Sequence, residues 1–110
     1  PADFEAWRRN QLQTAPTPAT PIAAAGEKVF VAHCASCHTV RGAGARGWGP
    51  DLTHLMSRRT IAAGLLVNTP GNLSGWISDA QGLKPGAKMP MTYLSGPQLT
   101  AVRGYLETLK

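Results

Sequence analysis

Both cysteines of the chain stand in one short run, Cys34-Ala-Ser-Cys37-His38, and this run constrains the fold more than any other feature of the sequence. Two thiols three positions apart, followed directly by an imidazole, admit three chemistries: a redox disulfide, part of a zinc site, or a point of covalent haem attachment. Each chemistry requires a different surrounding fold. The rest of the sequence must therefore be weighed against all three.

The surroundings of the run favour haem attachment over the two alternatives. A redox pair sits at a helix start after a strand, whereas this pair follows a helical segment and no strand precedes it. A zinc site needs four ligands, and the remaining candidates are His33, His38 and His54, of which the first two are crowded against the thiols. Two thiols at this spacing can each add to one vinyl group of a porphyrin, and the next histidine can then reach the iron.

An electron-carrying haem needs a second axial ligand, and a thioether sulfur would raise its potential. The candidates are Met56, Met89, Met91 and, less favoured, His54. Met89 lies in a loop rich in glycine and proline, 51 residues after His38, which gives the chain room to reach the opposite haem face. Met91 would point away in an extended segment, and Met56 fits a core position. The prediction is axial ligation by His38 and Met89.

Four further residues are predicted to contact the cofactor. The carbonyl of Pro50 could accept the Nδ1–H of His38 and fix the orientation of the imidazole. Trp76, Tyr93 and Arg58 could pack on the haem or hydrogen-bond its propionates. Ordinary packing or surface exposure remains the alternative for each of them, and a plain turn proline is the alternative for Pro50.

The pattern of apolar residues predicts an all-α fold with long loops. Helical signals cover 23–34 and 95–110, with shorter candidates at 60–68 and 72–81, and no period-two alternation is long enough for a sheet. Aromatic residues make up only 6% of the chain, and the apolar 43% leans heavily on alanine. Such side chains give a thin core, so a large prosthetic group would supply much of the interior.

The N-terminal part of the sequence differs from the rest. Residues 11–21 alternate proline with threonine and alanine, which predicts a semi-extended spacer with nothing to bury. Phe4 and Trp7 precede this spacer without an aromatic partner nearby in sequence. We therefore expect residues 1–21 to be the end of a preceding domain plus a linker, and residues 22–110 to form the folded domain.

Charge and hydropathy exclude some classes of partner. The formal charge is +5, from 11 Lys+Arg against 6 Asp+Glu, but the basic residues are scattered and not interleaved with aromatic ones. This pattern argues against nucleic-acid binding and favours acidic partners.

No run approaches 18 apolar residues, so no membrane span is expected in the chain itself. Because the chain starts at Pro1, we expect it to be a processed product or an excised piece.

Together these residues resemble the class I cytochrome c family over about 22–110. The resemblance is carried by the following residues and motifs: Cys34, Cys37, His38, "GPDL" (49–52), "KPGAKMP" (84–90), Gly26, Phe30 and Tyr105. It implies that the two terminal helices of the domain cross at the small and aromatic positions. It also implies that the fold closes round a single covalently bound haem c.

A narrower resemblance covers nearly the whole chain. Residues 40–90 are similar to the C-terminal cytochrome c domain of subunit II of caa-type haem–copper oxidases, and "FEAW" (4–7) before a proline-rich linker resembles the junction after the copper domain. This implies one-electron transfer from an upstream cytochrome or quinol-oxidising complex to the binuclear copper centre of the same subunit. It also implies a location on the outer face of a bacterial cytoplasmic membrane, with membrane contact only through the parent complex. The domain alone would not be an enzyme.

Three other functions remain open from the sequence. A free-standing periplasmic shuttle cytochrome would use the same site, with residues 1–21 as a mere tether. A thiol–disulfide oxidoreductase would use Cys34 and Cys37 as thiols, and a ligand-binding haem sensor would lack the methionine ligand. For an electron carrier we further expect three basic residues to ring the exposed haem edge and attract an acidic partner: Arg46, Lys84 and Lys88.

Overall fold

The computed structural model of the protein describes residues 1–44 and 48–110. Its helices are α1 (Ala2–Gln11), α2 (Pro21–His33), α3 (Pro70–Ser78), α4 (Ala80–Leu83) and α5 (Gly96–Leu106), with a 3-10 turn at Leu55–Ser57 and two short strands, β1 (Thr60–Ile61) and β2 (Leu66–Val67). The prediction of an all-α domain with long loops is confirmed, apart from this small hairpin. Among the described residues, no helix combines the length and hydropathy needed to cross a bilayer.

Helix α2 begins and ends where local chemistry dictates. The hydroxyl of Thr20 accepts a hydrogen bond from the amide of Ala23 at 3.2 Å, and Pro21 occupies the first helical position, where its missing N–H costs nothing. The helix ends at His33, and Cys34 follows as its C-terminal cap. The cysteine run therefore begins at the C-terminal end of α2, which lies one residue before the predicted end of the helix at residue 34.

Helix α5 opens on a complete capping box. Ser95 accepts from the amide of Gln98, while the Gln98 side chain accepts from the amide of Ser95. The prediction extended the helix to residue 110, but it ends at Leu106. The four residues after it are still held, because Leu109 is fully buried and its carbonyl accepts from the amide of Met56 at 2.7 Å.

Helices α2 and α5 form the largest helix–helix contact of the described chain. They meet at Gly26, where an added Cβ would lie 1.9 Å from the carbonyl oxygen of Ala101. One turn further along α2, the rings of Phe30 and Tyr105 pack at a centroid distance of 5.9 Å, tilted by 52°. The predicted crossing of the two terminal helices of the domain at small and aromatic positions is confirmed.

The main apolar core surrounds this crossing. It draws on both helices, on α3, and on the segments between them: Phe30, Val40, Leu55, Ile61, Leu73, Ile77, Val102, Tyr105, Leu106 and Leu109. Only two of these residues are aromatic, in line with the thin core expected from composition.

The prediction of a helix over 60–68 is wrong. Thr60 and Ile61 instead pair antiparallel with Val67 and Leu66 in a hairpin. The turn between the strands holds Ala62, Ala63 and Gly64 at positive φ, a conformation that ends any right-handed helix. The hairpin buries Ile61 in the core, so tertiary packing overrides the helix propensity of the two alanines.

The single helix predicted over 72–81 is divided in two. Its first part, α3, starts earlier than predicted, because the Thr69 hydroxyl accepts from the amide of Asn72 and Pro70 follows at the first helical position. The second part, α4, begins after Asp79, whose carboxylate accepts from the amide of Gly82 at 3.0 Å. This new cap lets the chain change direction before the loop that carries Met89.

The first residues form a helix that the sequence analysis did not anticipate. In α1 no residue is buried, and Glu5 pairs with Arg8 at 3.1 Å on its surface. Phe4 and Trp7 do have a partner, since their rings stack on one another at 5.9 Å while each remains 54% exposed. The two rings therefore form an exposed apolar patch on an otherwise polar helix.

The proline-rich segment lies against the domain instead of extending freely. The guanidinium of Arg41 donates to the carbonyls of Gln11 and Gln13 at 2.5 and 2.9 Å, and the amide of Ala15 donates back to the Arg41 carbonyl at 2.8 Å. Ala15 also packs against the core, so the expectation that the segment buries nothing is wrong at this residue.

Candidate cofactor site

The cysteine run forms a tight turn at the end of α2. The carbonyl of Cys34 accepts from the amides of Cys37 and His38 at 3.1 and 2.9 Å. Cys34 is half-buried and Cys37 is exposed, and both are free thiols. The turn therefore presents two thiols and an imidazole from one compact piece of backbone.

The thiol of Cys34 is poorly suited to redox chemistry. Burial, and to a smaller extent the neighbouring Cys37, raise its pKa to about 11. Dithiol oxidoreductases depend on the opposite shift, since the thiolate is the reactive form. The pair also follows a helix C-terminus, where the helix dipole disfavours negative charge.

The imidazole of His38 is held in one orientation. Its Nδ1 lies 2.9 Å from the carbonyl oxygen of Pro50, and because a carbonyl only accepts, Nδ1 carries the hydrogen. In the neutral ring this leaves the lone pair on Nε2, the atom a metal would bind. The backbone of Gly49 lies directly under the ring: an added Cβ there would come within 2.7 Å of Cε1 and 2.9 Å of Nδ1.

The segment carrying Gly49 and Pro50 is fastened to the cysteine run by backbone hydrogen bonds. The amide of Gly49 donates to the carbonyl of Cys37 at 2.6 Å, and the amide of Leu52 donates to the carbonyl of Thr39 at 2.7 Å. These bonds run on both sides of Pro50. They fix the distance from its carbonyl to His38 without any contribution from side chains.

Asp51 reinforces the same segment through its side chain. One carboxylate oxygen accepts from the amide and the hydroxyl of the buried Thr53 at 2.9 and 2.6 Å, and the other pairs with Arg41 at 3.2 Å. Partial burial acts to raise the pKa of Asp51, but the bonds from Thr53 and the charges of Arg41 and Arg58 outweigh it and lower the pKa. Arg58 donates to the Asp51 carbonyl at 2.5 Å.

The lowered pKa of Asp51 predicts a stability difference that depends on pH. The carboxylate stabilises the folded state above its ordinary pKa of 3.8, and this contribution is lost as the pH falls through the lower folded value. Urea unfolding should therefore find Asp51→Asn less stable than wild type at pH 7, by less than about 1 kcal/mol because the side chain is half-exposed. The difference should shrink below pH 3.8. An equal deficit at pH 7 and pH 3 would contradict the prediction, and Asp3→Asn on exposed α1 is the control.

Met89 lies in the loop between α4 and α5 and is half-buried. The side-chain amide of Gln81 on α4 donates to the carbonyl of Met89 at 2.9 Å and also to the carbonyl of Ala87. Beyond the methionine, the Thr92 hydroxyl donates to the carbonyl of Ile77 on α3 at 3.0 Å. The loop is thus tied to α3 and α4 on both sides of the predicted ligand.

The remaining predicted residues differ in their exposure and contacts. Trp76 on α3 is half-buried against the core, whereas Tyr93 is 86% exposed, with a φ of 54°. Arg58 joins the Pro50–Asp51 segment, as described above. The cofactor contacts of these three side chains stay predictions. Lys84 and Lys88 are exposed in the Met89 loop, and Arg46 lies outside the described residues.

Sequence reasoning missed two residues of this site. Gly49 lies against the imidazole, and the only hint of this in the sequence was a glycine directly before Pro50, whose carbonyl was the predicted acceptor for His38. Gln81 holds the Met89 loop, and a glutamine within a predicted helix gives no sequence signal of that role. Across residues 1–44 and 48–110, His, Cys, Asp and Glu side chains form no cluster of three or more suited to a metal ion.

Comparisons with known proteins identify the family of the chain. Residues 23–110 match the family model described as cytochrome c. Cytochrome c oxidase subunit 2 of Bacillus sp. (strain PS3) is 35% identical over 114 residues, covering 97% of this chain and 32% of that protein. The subunits 2 of Alkalihalophilus pseudofirmus and Bacillus subtilis (strain 168) are 36% identical over 110 residues and 32% identical over 115, each covering 98% of this chain and 32% of the relative.

The chain spans about a third of the length of the curated relatives it matches. Its similarity to cytochrome c oxidase subunit 2 confirms the resemblance noted in the sequence. The helical architecture, with its crossing at Gly26, agrees with the class I cytochrome c fold predicted for it. The family match over residues 23–110 shows that the chain belongs to the cytochrome c family.

Proposed function

We propose that this chain is a one-electron carrier in which a single haem c is held by thioether bonds to Cys34 and Cys37, with His38 and Met89 as axial ligands. The observation that carries the proposal is the 2.9 Å contact of His38 Nδ1 with the Pro50 carbonyl, directly beside two free thiols. The residues present fit the group, because the ring keeps a free Nε2 and the thiols are unpaired. When bound, haem c supplies the iron couple that accepts and returns one electron.

Each residue of the proposed site has a separate task. Cys34 and Cys37 fix the position of the macrocycle at the end of α2. Pro50 sets the tautomer and orientation of His38, and Gly49 leaves room for the ring. The thioether of Met89 favours the ferrous state and so raises the potential. Rigid ligands of this kind keep the geometry similar in both oxidation states, which suits electron transfer.

Covalent attachment and one-electron chemistry can be tested together. The protein should be produced with and without haem-attachment machinery and then denatured in alkaline pyridine. We expect the spectrum of a haem with both vinyl groups saturated, one haem per chain, and a redox titration that fits one electron. Cys34→Ala and Cys37→Ala should each give the spectrum of a single thioether bond. A colourless protein from cells with active machinery would overturn the proposal in favour of thiol chemistry.

We further propose that the chain is a domain of a haem–copper oxidase subunit on the outer face of a bacterial cytoplasmic membrane. There it would accept electrons from an upstream cytochrome or quinol-oxidising complex and deliver them to the binuclear copper centre of the same subunit. The similarity to three subunits named cytochrome c oxidase subunit 2 supports this. The absence of any buried residue in α1 supports a division into an end piece with linker at 1–21 and a domain at 22–110.

The basic residues of the Met89 loop predict how an upstream donor docks. Lys84 and Lys88 are exposed, and the net charge of +5 favours an acidic partner. With an acidic donor cytochrome, the bimolecular rate of reduction should fall about tenfold as ionic strength rises from low to physiological. Lys84→Glu/Lys88→Glu should slow the low-salt rate, whereas Lys28→Glu on α2 should change it much less. A rate insensitive to salt would contradict electrostatic steering.

A further inference from the structure

The loop that carries Met89 has little regular structure of its own. From Lys84 to Ser95 it contains one backbone turn, in which the amide of Ala87 donates to the carbonyl of Lys84 at 3.0 Å. Gly86 makes that turn possible, since its φ is +85°. A loop of this kind needs outside contacts if it is to hold one side chain at a fixed place.

Gln81 supplies such a contact. Its side-chain nitrogen donates both to the carbonyl of Ala87 and to the carbonyl of Met89, and an amide NH₂ has one hydrogen for each. The side chain is half-buried, so these bonds compete less with water than bonds on an open surface would. Of these two bonds, the second is made to the backbone of the predicted ligand residue, Met89.

The position of Gln81 is itself fixed. It lies on α4 between Ala80, which is 1% exposed, and Gly82, whose amide is held by the carboxylate of Asp79 at 3.0 Å. The carboxylate also lies where a side chain at Gly82 would be, 2.1 Å from an added Cβ. The amide is therefore presented from a capped and anchored turn, which gives it a defined direction.

We propose that Gln81 is the positioning residue for the Met89 ligand: its amide clamps the backbone at Ala87 and Met89 and thereby holds the thioether where the iron requires it. The proposal rests on the proposed ligation by His38 and Met89. Without the clamp, the backbone carbonyls of both residues must turn to water, and the loop gains alternative conformations in which the sulfur is displaced. The fraction of molecules with methionine bound should then fall, while the thioether bonds at Cys34 and Cys37 are unaffected.

A merely structural role for Gln81 makes a different prediction. A side chain that only stabilises the fold would, when removed, lower the free energy of unfolding without changing the coordination of the folded protein. Gln98 provides a matched control for that case, because its side chain accepts from the amide of Ser95 in the α5 capping box, away from the ligand loop. Loss of this cap should cost stability but leave Met89 in place.

The test compares Gln81→Glu, Gln81→Ala and Gln98→Ala in the haem-loaded protein at neutral pH. Glutamate keeps the size of the side chain but loses both donors and places a carboxylate against two carbonyls. Two readouts are used: the near-infrared sulfur-to-iron band of the ferric form, and the affinity of the ferric protein for added imidazole, which competes with the methionine. We expect both Gln81 variants to weaken the band and to bind imidazole about tenfold more tightly. Gln98→Ala should match wild type in both.

Each outcome bears on the proposal in a defined way. If the Gln81 variants retain the full band and the wild-type affinity for imidazole, the clamp is overturned, whatever their stability. If Gln98→Ala shifts both readouts as far as Gln81→Ala, the effect is general destabilisation and the proposal also fails. The variant Met89→Ala tests the ligation separately from the role of Gln81. If Met89→Ala shows the same band as wild type, the axial assignment is wrong and the proposed function needs another ligand.

Discussion

Gly26→Ala is expected to destabilise the haem-loaded protein by about 3 kcal/mol or more. At this residue α2 approaches α5 so closely that an added Cβ would lie 1.9 Å from the carbonyl oxygen of Ala101 and 2.6 Å from the Cβ of Tyr105. Both obstacles are rigid, since one is helix backbone and the other is the base of a fully buried ring. The helices must therefore separate, which also disturbs the contact between Phe30 and Tyr105. Urea unfolding followed by the haem spectrum measures the loss.

Gly104→Ala is the matched control for this prediction. Gly104 lies within α5, and the nearest atoms to an added Cβ there would be side-chain atoms of Ile22 at 3.7 Å, an ordinary contact. Because alanine favours a helix interior over glycine, this variant should gain up to about 1 kcal/mol. The two substitutions are chemically the same and should have effects of opposite sign. Equal effects would mean that the helix crossing is looser than the structure shows.

His38→Gly is expected to leave both thioether bonds intact and to remove the imidazole ligand. The cavity left behind is bounded by Gly49 and the Pro50 carbonyl, so it keeps the shape of the ring and an acceptor for its N–H. Added imidazole should therefore enter it and restore the wild-type spectrum. Before rescue the midpoint potential should shift by about 0.1 V or more, because axial ligands set haem potentials over a range of about 0.8 V.

The control is His33→Gly, five positions earlier on the exposed surface of α2. It should retain the spectrum and the potential of wild type, and added imidazole should change nothing. If the two histidine variants behave alike, or if imidazole fails to restore the spectrum of His38→Gly while the thioether bonds are intact, the assignment of His38 is contradicted.

The parts of the fold that sequence predicted best are those fixed by local chemistry. Helix α2 was predicted from a run of good helix formers and α5 from the helical spacing of its apolar residues, and the caps at Thr20 and Ser95 explain where the two helices begin. The role of Pro50 was also predicted from the sequence. The Nδ1–H of a histidine that binds a metal needs an acceptor, and the Pro50 carbonyl provides one.

The failures come from backbone conformations and side-chain contacts that the pattern of residue types does not show. Residues 60–68 have alanines and leucines suited to a helix, but the burial of Ile61 and a turn with positive φ at Ala62 and Ala63 give a hairpin. The docking of the proline-rich segment depends on Arg41, 30 positions after Gln11. The hydrogen bond to the Met89 carbonyl comes from the Gln81 amide eight positions earlier, in a turn capped by Asp79, and no pattern of residue types signals it.

The most direct test of the account is the near-infrared sulfur-to-iron band of the oxidised protein, recorded for wild type, Met89→Ala and Met91→Ala. Axial ligation by His38 and Met89 predicts that the band is present in wild type, survives in Met91→Ala and is absent from Met89→Ala. If wild type lacks the band, methionine ligation is contradicted and a sensor or bis-histidine coordination takes its place. If Met89→Ala retains it, another sulfur is the ligand, and Met91 and Met56 are the remaining candidates.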